Sequence, residues 1–232
     1  MSSSKSILVL TFGILISMSV CAQHMAFGVK GGPTLGTQKW NSAQGNDPLF
    51  SYHIMAFVET EDEGSSGSLF AETGYHVKGR AFRLRATVNP NTGITYEAQT
   101  LKLKFNNASL LLGARNRFLV GNTTAFYSIA LRGEYNVSHD LQLYRGYEDG
   151  IQKFVYGLSF GGGFDFPFSE LVGGVIDFRV SPDISRQIFI PASQYNNPFT
   201  GTEETFREQS VKNIALEVSL GIRFLRKVIY VD

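Results

Sequence analysis

The sequence predicts a single all-β unit: an eight-stranded antiparallel transmembrane β-barrel with short periplasmic turns and long extracellular loops. Three observations predict it. Polarity alternates with a period of two in eight segments, the connections between them alternate long and short, and aromatic residues gather near the segment ends. Successive side chains of a strand point to opposite faces, so strict alternation marks a sheet with two different surroundings. In "ALEVSLGIRF" (215–224), Leu216, Val218, Leu220, Ile222 and Phe224 share one face, and Glu217, Ser219 and Arg223 share the other. No segment carries an apolar stripe at helical spacing.

The first 22 residues stand apart. Lys5 precedes the apolar run "ILVLTFGILISMSV" (7–20) and then "CAQ", the pattern of a secretory signal peptide cut after Ala22. The run falls short of the roughly 20 residues a membrane helix needs. A lipoprotein signal using Cys21 fits less well, because Val20 stands where a small residue is wanted. The expected domains are therefore 1–22, signal peptide, and 23–232, barrel. Cleavage removes Lys5 and Cys21, leaving equal numbers of acidic and basic residues and no thiol. An exported chain without a disulfide framework follows. The balanced charge gives no reason to expect a nucleic-acid partner.

The predicted strands are 24–34, 50–60, 68–80, 102–114, 124–137, 153–165, 170–180 and 211–225. Each is close to the 9–11 residues of a tilted membrane strand. The first carries Lys30. The second places Ser51 and His53 on one face. In 68–80, Leu69, Ala71, Thr73, Tyr75 and Val77 oppose Glu72, Gly74, His76, Lys78 and Arg80. The stretch "FNNASLLLGAR" (105–115) holds three consecutive leucines and leaves its lipid face ambiguous. In 124–137, Tyr127, Ile129, Leu131, Tyr135 and Val137 oppose Ser128, Arg132, Glu134 and Asn136. In 170–180, Val172, Ile176, Phe178 and Val180 oppose Asp177 and Arg179.

Connections sort by length. "TLGTQKWNSAQGNDPL", the stretch around "RATVNPNTGITYEAQ", "SHDLQLYRGYEDGIQ" and "SPDISRQIFIPASQYNNPFTGTEETFREQS" are long. "TEDEGSSG", "RNRFLVGNT" and "FPFSE" are short. Tyr52, Tyr75, Tyr135 and Tyr156 lie toward the long-loop ends, and Phe164, Phe166, Phe168 and Phe224 toward the short turns. Two aromatic bands are expected at the two membrane interfaces.

On the polar faces Lys30, Lys78, Arg80, Arg132, Arg179 and Arg223 stand against Glu72, Glu134, Asp165, Asp177 and Glu217, with His76 among them. An eight-stranded barrel is narrow enough for side chains to fill. Buried charges must pair, so these residues are expected to form a polar network that plugs the lumen. A soluble sheet with one solvated charged face is the rival reading, but it gives no reason for loops and aromatics to be sorted by end.

"FGVKGG" (27–32), "FAETGYHVKGRAFR" (70–83), "YGLSFGGGFDFPFSE" (156–170) and "LEVSLGIRFLRK" (216–227) resemble the Bacteroidetes-type small outer-membrane β-barrel family, some of whose members are porin-like or associated with secretion and gliding. The likeness spans the expected mature chain and rests on glycine and alternation patterns. It implies an outer-membrane barrel in a Gram-negative envelope. The chain departs from the pattern by continuing past Phe224 as "LRKVIYVD", so Tyr230 becomes an alternative terminal aromatic.

The expected function is non-enzymatic: a structural, binding or accessory subunit of an envelope or secretion complex, in contact with outer-membrane lipid. Trp40, Tyr144, Tyr147, Phe189, Ile190, Tyr195 and Phe199 are the loop side chains expected to make contacts, with extension of the strands beyond the membrane as the equal alternative for some of them. A narrow pore is the first alternative; balanced lumen charge and eight strands argue against high conductance, and if the lumen is plugged, replacing Arg132 and Glu134 by alanine should open it. A lipid A-modifying enzyme is the second. Catalysis needs a serine within reach of an oriented base; Ser51 with His53, and Ser138, His139 and Asp140, are the available sets, and neither makes a triad in sequence. No cofactor is expected, and no cysteine–histidine spacing suggests a metal, although "EDEG" (61–64) could attract calcium weakly.

Overall fold

A computed structural model of the chain describes residues 24–41, 47–61, 66–121, 123–196 and 201–227. The expected signal peptide, most of the acidic turn 61–64, Phe199 and Tyr230 lie outside them. In chain order the elements are β1 (His24–Trp40), β2 (Asp47–Glu61), β3 (Gly67–Leu84), β4 (Thr87–Val88), β5 (Thr95–Tyr96), β6 (Gln99–Val120), β7 (Thr123–Asp140), a 3-10 helix (Gln142–Gly150), β8 (Phe154–Pro167), β9 (Val172–Pro182), β10 (Ile188–Ile190), β11 (Ser193–Asn196), β12 (Glu203–Phe206) and β13 (Gln209–Lys227). No helix among the described residues is long and apolar enough to cross a membrane.

Eight long strands make the wall. They pair antiparallel in the order β1-β2-β3-β6-β7-β8-β9-β13, and β13 returns to β1 from His24↔Lys227 to Trp40↔Val211. The sheet is thus an eight-stranded closed barrel, and closure gives every wall strand a partner on both sides. Where β9 stops, β10 continues the ladder beside β13. The β4–β5 and β11–β12 pairs are small hairpins within two of the long connections.

Strands extend further than the alternation predicts. The long loop expected at 34–49 is largely wall, since β1 continues to Trp40 and β2 begins at Asp47. The expected turn 115–123 is likewise mostly strand, with β6 and β7 paired up to Val120↔Thr123. Ladder hydrogen bonds to an extended neighbour carry these segments on, and such pairing is invisible in one strand's own pattern. At one end remain the connections 62–66, 121–122 and 168–171; at the other, 85–98, 141–153 and 183–208 are long. Phe224 does not end its strand, because the Leu225 N–H donates to the Leu171 carbonyl and Arg226 still pairs with Met25.

The wall's two faces differ sharply. Outside, Leu131, Leu220, Phe154, Tyr135 and Val137 are each more than half exposed. Inside lie charged and small polar residues. The triple leucine resolves by alternation: Leu110 and Leu112 point outward, and Leu111 is buried against Met55, Phe70 and Ala130. Glycine admits the close approaches. A Cβ on Gly221 would collide with the Lys30 side chain across the β1–β13 ladder. Gly79, at φ +148, lies where a Cβ would strike the Leu103 carbonyl oxygen.

Candidate functional site in the barrel lumen

The inward faces bring the charges together in three tiers. At the short-turn end, Glu59 of β2 accepts from Arg115 (3.0 Å) and Arg117 (2.6 Å) of β6 and from the Ser68 hydroxyl. Arg117 also donates through Nε to Asp165 of β8, at 3.0 Å. The Arg115 guanidinium lies 4.1 Å from the Phe126 ring centroid and 5.2 Å from that of Phe70, so its faces meet π-clouds while its edges meet carboxylates.

The middle tier centres on Glu72. Lys30 Nζ donates to Glu72 Oε1 (2.7 Å) and to Asp177 Oδ2 (2.6 Å). Arg179 grips Glu72 with two nitrogens, at 2.7 and 3.0 Å, and reaches Asp177 at 2.9 Å. Bidentate geometry makes this the strongest type of charge pair. Two carboxylates against two cations leave the tier neutral.

Above it, His76 lies between Glu217 (Nε2 to Oε1, 3.1 Å) and Glu134 (Nδ1 to Oε1, 3.6 Å). Glu134 also faces Lys78 (2.7 Å), Arg132 (3.1 Å) and the Asn107 amide (3.1 Å). Lys78 and Arg132 both reach Asp183, which follows β9, and Asn213 donates to the other oxygen of that carboxylate. His53 bridges the hydroxyls of Thr34 (2.9 Å) and Ser219 (2.8 Å), with its ring 6.1 Å from that of His76.

An apolar cap covers the long-loop end. Trp40, Leu103, Phe105, Leu141, Ile188 and Val211 are buried together, with Tyr147, Ile151 and Ile190 packed against them. Tyr147 meets Trp40 edge-on, with ring centroids 5.4 Å apart. Arg80 stacks 4.4 Å from the Trp40 ring centroid. Trp40, Tyr147 and Ile190 therefore pack inward as cap and not as loop contacts, and Trp40 does so at the end of an extended strand, the alternative the sequence left open. Phe189 sits partly exposed beneath Arg186. The side chains of Tyr144 and Tyr195 lie outside the described residues.

Lys30, Glu72, His76, Lys78, Arg80, Arg132, Glu134, Asp177, Arg179 and Glu217 are all buried inside the barrel, none more than 4% exposed. Arg223 is half-buried at the short-turn mouth, where with Arg117, Asp165 and Phe166 it lines a cavity of about 260 Å³. Glu59, Arg115, Arg117 and Asp183 are not among the residues the sequence singles out, and His53, paired there with Ser51, instead joins the lumen network through Thr34 and Ser219. Arg115 and Arg117 continue the every-second-residue phase of Asn107, Ser109 and Leu111, but fall in a stretch whose composition reads as a turn. Asp183 falls in the longest expected loop.

The two serine–histidine sets do not assemble. Ser51 Oγ donates to the backbone carbonyls of Val77 (2.6 Å) and Thr34 (3.3 Å), while the His53 ring binds Thr34 and Ser219. Ser138 accepts from Asn106, His139 contacts Asn136, and Asp140 accepts from the Gln142 N–H. Among the described residues no group of three His, Cys, Asp or Glu could hold a metal ion.

No protein-family model matches the sequence, and no curated protein sequence does. Among solved structures the chain is similar to the outer membrane protein OprG of Pseudomonas aeruginosa (10% identity, 88% of this chain and 96% of that one, TM-score 0.48). It is also similar to Neisserial surface protein A, NspA (10% identity, 89% and 98%, TM-score 0.45). A third is a major outer membrane protein of Thermus thermophilus (12% identity, 87% and 99%, TM-score 0.44).

Proposed function

We propose that the chain is an outer-membrane barrel, closed to solutes, that acts through its long-loop end as a structural, binding or accessory subunit of an envelope complex. One observation carries the proposal: the wall is inverted relative to a soluble protein. Charges fully buried inside contrast with Leu, Ile, Val and Phe exposed around the outside. A soluble monomer rarely exposes a contiguous apolar patch beyond a few hundred Å², whereas lipid is the natural solvent for such a belt. Along the β1–β13 seam the outward ladder stays apolar or small from Phe27–Phe224 to Thr37–Ile214. Ten residues of tilted strand rise roughly 25 Å, the height of a membrane barrel's apolar band.

The lumen argues against transport as the main role, because the charged groups of the middle and upper tiers are almost completely buried beneath the cap. A lipid A enzyme lacks support in the serine–histidine geometry. The sequence resemblance to Bacteroidetes-type barrels adds secretion or gliding machinery as the envelope complex to test first.

Purification from the native outer membrane in mild detergent tests this reading. A heat-modifiable barrel recovered with a stoichiometric envelope partner is the expected result. Recovery in the aqueous fraction would sink the membrane assignment. A barrel that conducts in planar bilayers would replace the accessory role with a pore, and altered lipid A mass spectra on gene deletion would replace it with an enzyme.

A further inference from the structure

The outward ladder of the β1–β13 seam ends abruptly. Moving toward the long loops, Leu35↔Leu216 and Thr37↔Ile214 are followed by Lys39↔Lys212. Both lysines point outward, because Gln38, Trp40, Val211 and Asn213 on either side of them are buried inside. Directly opposed residues of an antiparallel pair have Cβ atoms about 5 Å apart, and like charges there are destabilising. Neither ammonium has an ion pair or hydrogen bond among the described residues. Elsewhere on this end, Lys104 stands opposite Asp140, and Arg186 is 3.4 Å from Glu208. The lysine pair marks the outer rim of the apolar belt, the depth at which lipid headgroups lie.

We propose that Lys39 and Lys212 form a two-ammonium clamp for the phosphate of an outer-leaflet lipid, phosphorylated lipid A, whose acyl chains lie along Leu35, Ile214, Leu216 and Val218. The proposal rests on the outer-membrane reading above. A phosphate offers several acceptor oxygens and more than one negative charge, so it can take hydrogen bonds from both ammoniums and cancel their repulsion. A carboxylate neutralises only one of them. Directly below the pair the wall is apolar, so one molecule with a phosphate head and hydrocarbon tails matches both parts of the surface.

The clamp predicts a change of sign. In nanodiscs of phosphatidylcholine alone, whose phosphodiester carries a single charge already neutralised by choline, Lys212→Gln removes a like-charge repulsion and raises the midpoint of thermal unfolding, read as loss of heat-modifiable mobility. In phosphatidylcholine discs containing lipid A, the same substitution removes half the clamp and lowers it. Native mass spectrometry of the lipid A discs should show retained lipid A on the parent. Retention should fall roughly 30-fold in Lys39→Gln/Lys212→Gln, given the energy that each membrane-surface lysine contributes, and stay unchanged in Lys104→Gln.

A Lys212→Gln shift of the same sign and size in both discs overturns the clamp, as does undiminished lipid A on the double variant. Millimolar inorganic phosphate that stabilises the parent in plain phosphatidylcholine discs as strongly as lipid A does overturns the lipid assignment. Co-elution of parent and variants with the discs is read first. Failure at that step defeats the membrane reading, while insertion followed by equal lipid retention defeats only the clamp.

Discussion

Glu72 accepts from Lys30 and from both nitrogens of the Arg179 fork, and it is 1% exposed. Removing one member of such a group costs more than the group contributes, because the cations left behind stay buried without their counter-charge. Glu72→Ala is expected to destabilise the barrel by about 3–5 kcal/mol, measured by reversible urea unfolding from lipid vesicles. Glu72→Gln should lose less, since its amide oxygen still accepts. Equal losses for the two would show that volume, and not charge, fills the tier. Gly79 supplies a second residue-scale prediction. Its φ of +148 and the Leu103 carbonyl in the path of any Cβ make Gly79→Ala cost about 1–3 kcal/mol in the same assay. Of these two residues only Glu72 was legible in the sequence, where alternation alone assigned it to the lumen. Gly79 was not, because a left-handed φ depends on how β3 meets β6 and leaves no trace in polarity.

At the level of the strand, β13 shows why the alternation could be read so far. Its outward Leu216, Val218, Leu220 and Ile222 and its inward Glu217 and Ser219 face two different solvents, so each position is under separate physical demand. Where both faces meet similar surroundings, the signal fades. Beyond the belt β1 passes through Gln38 and Trp40 and β6 through Arg115 and Arg117, and there ladder pairing sets strand length while polarity says little. The cap was illegible for a similar reason: Trp40 at the end of β1, Leu141 after β7 and Ile188 at the start of β10 are far apart in the chain and meet only once the ring has closed. Lipid contact makes position along a strand measurable. Leu220→Arg, near mid-height and 64% exposed, should cost about 2–4 kcal/mol, while Ile214→Arg near the rim should cost about 0–1 kcal/mol. Refolding into bilayers of matched thickness measures both. Equal and small costs would mean that water or another protein, not hydrocarbon, covers this face.

Across the whole molecule the tiers act in series along one axis, and this changes what a lumen mutation can do. From sequence, Arg132 and Glu134 belong to a polar plug, and replacing both by alanine is expected to open it. In the folded barrel they belong to one tier of three, with Glu59–Arg115–Arg117 and Lys30–Glu72–Asp177–Arg179 below and the Trp40 cap above. A conductor in series is limited by its tightest segment, so widening one tier leaves the others in control. Parent protein and Arg132→Ala/Glu134→Ala alike are therefore expected to show no stable current steps in planar bilayers. The double variant should lose stability all the same, because Lys78 keeps Asp183 but loses Glu134. Current should arise only when small residues thin all three tiers together and the cap is cut back at Trp40. Steps from the double variant alone would show that the two lower tiers already pass water and ions, and would move the barrel from closed scaffold to gated pore.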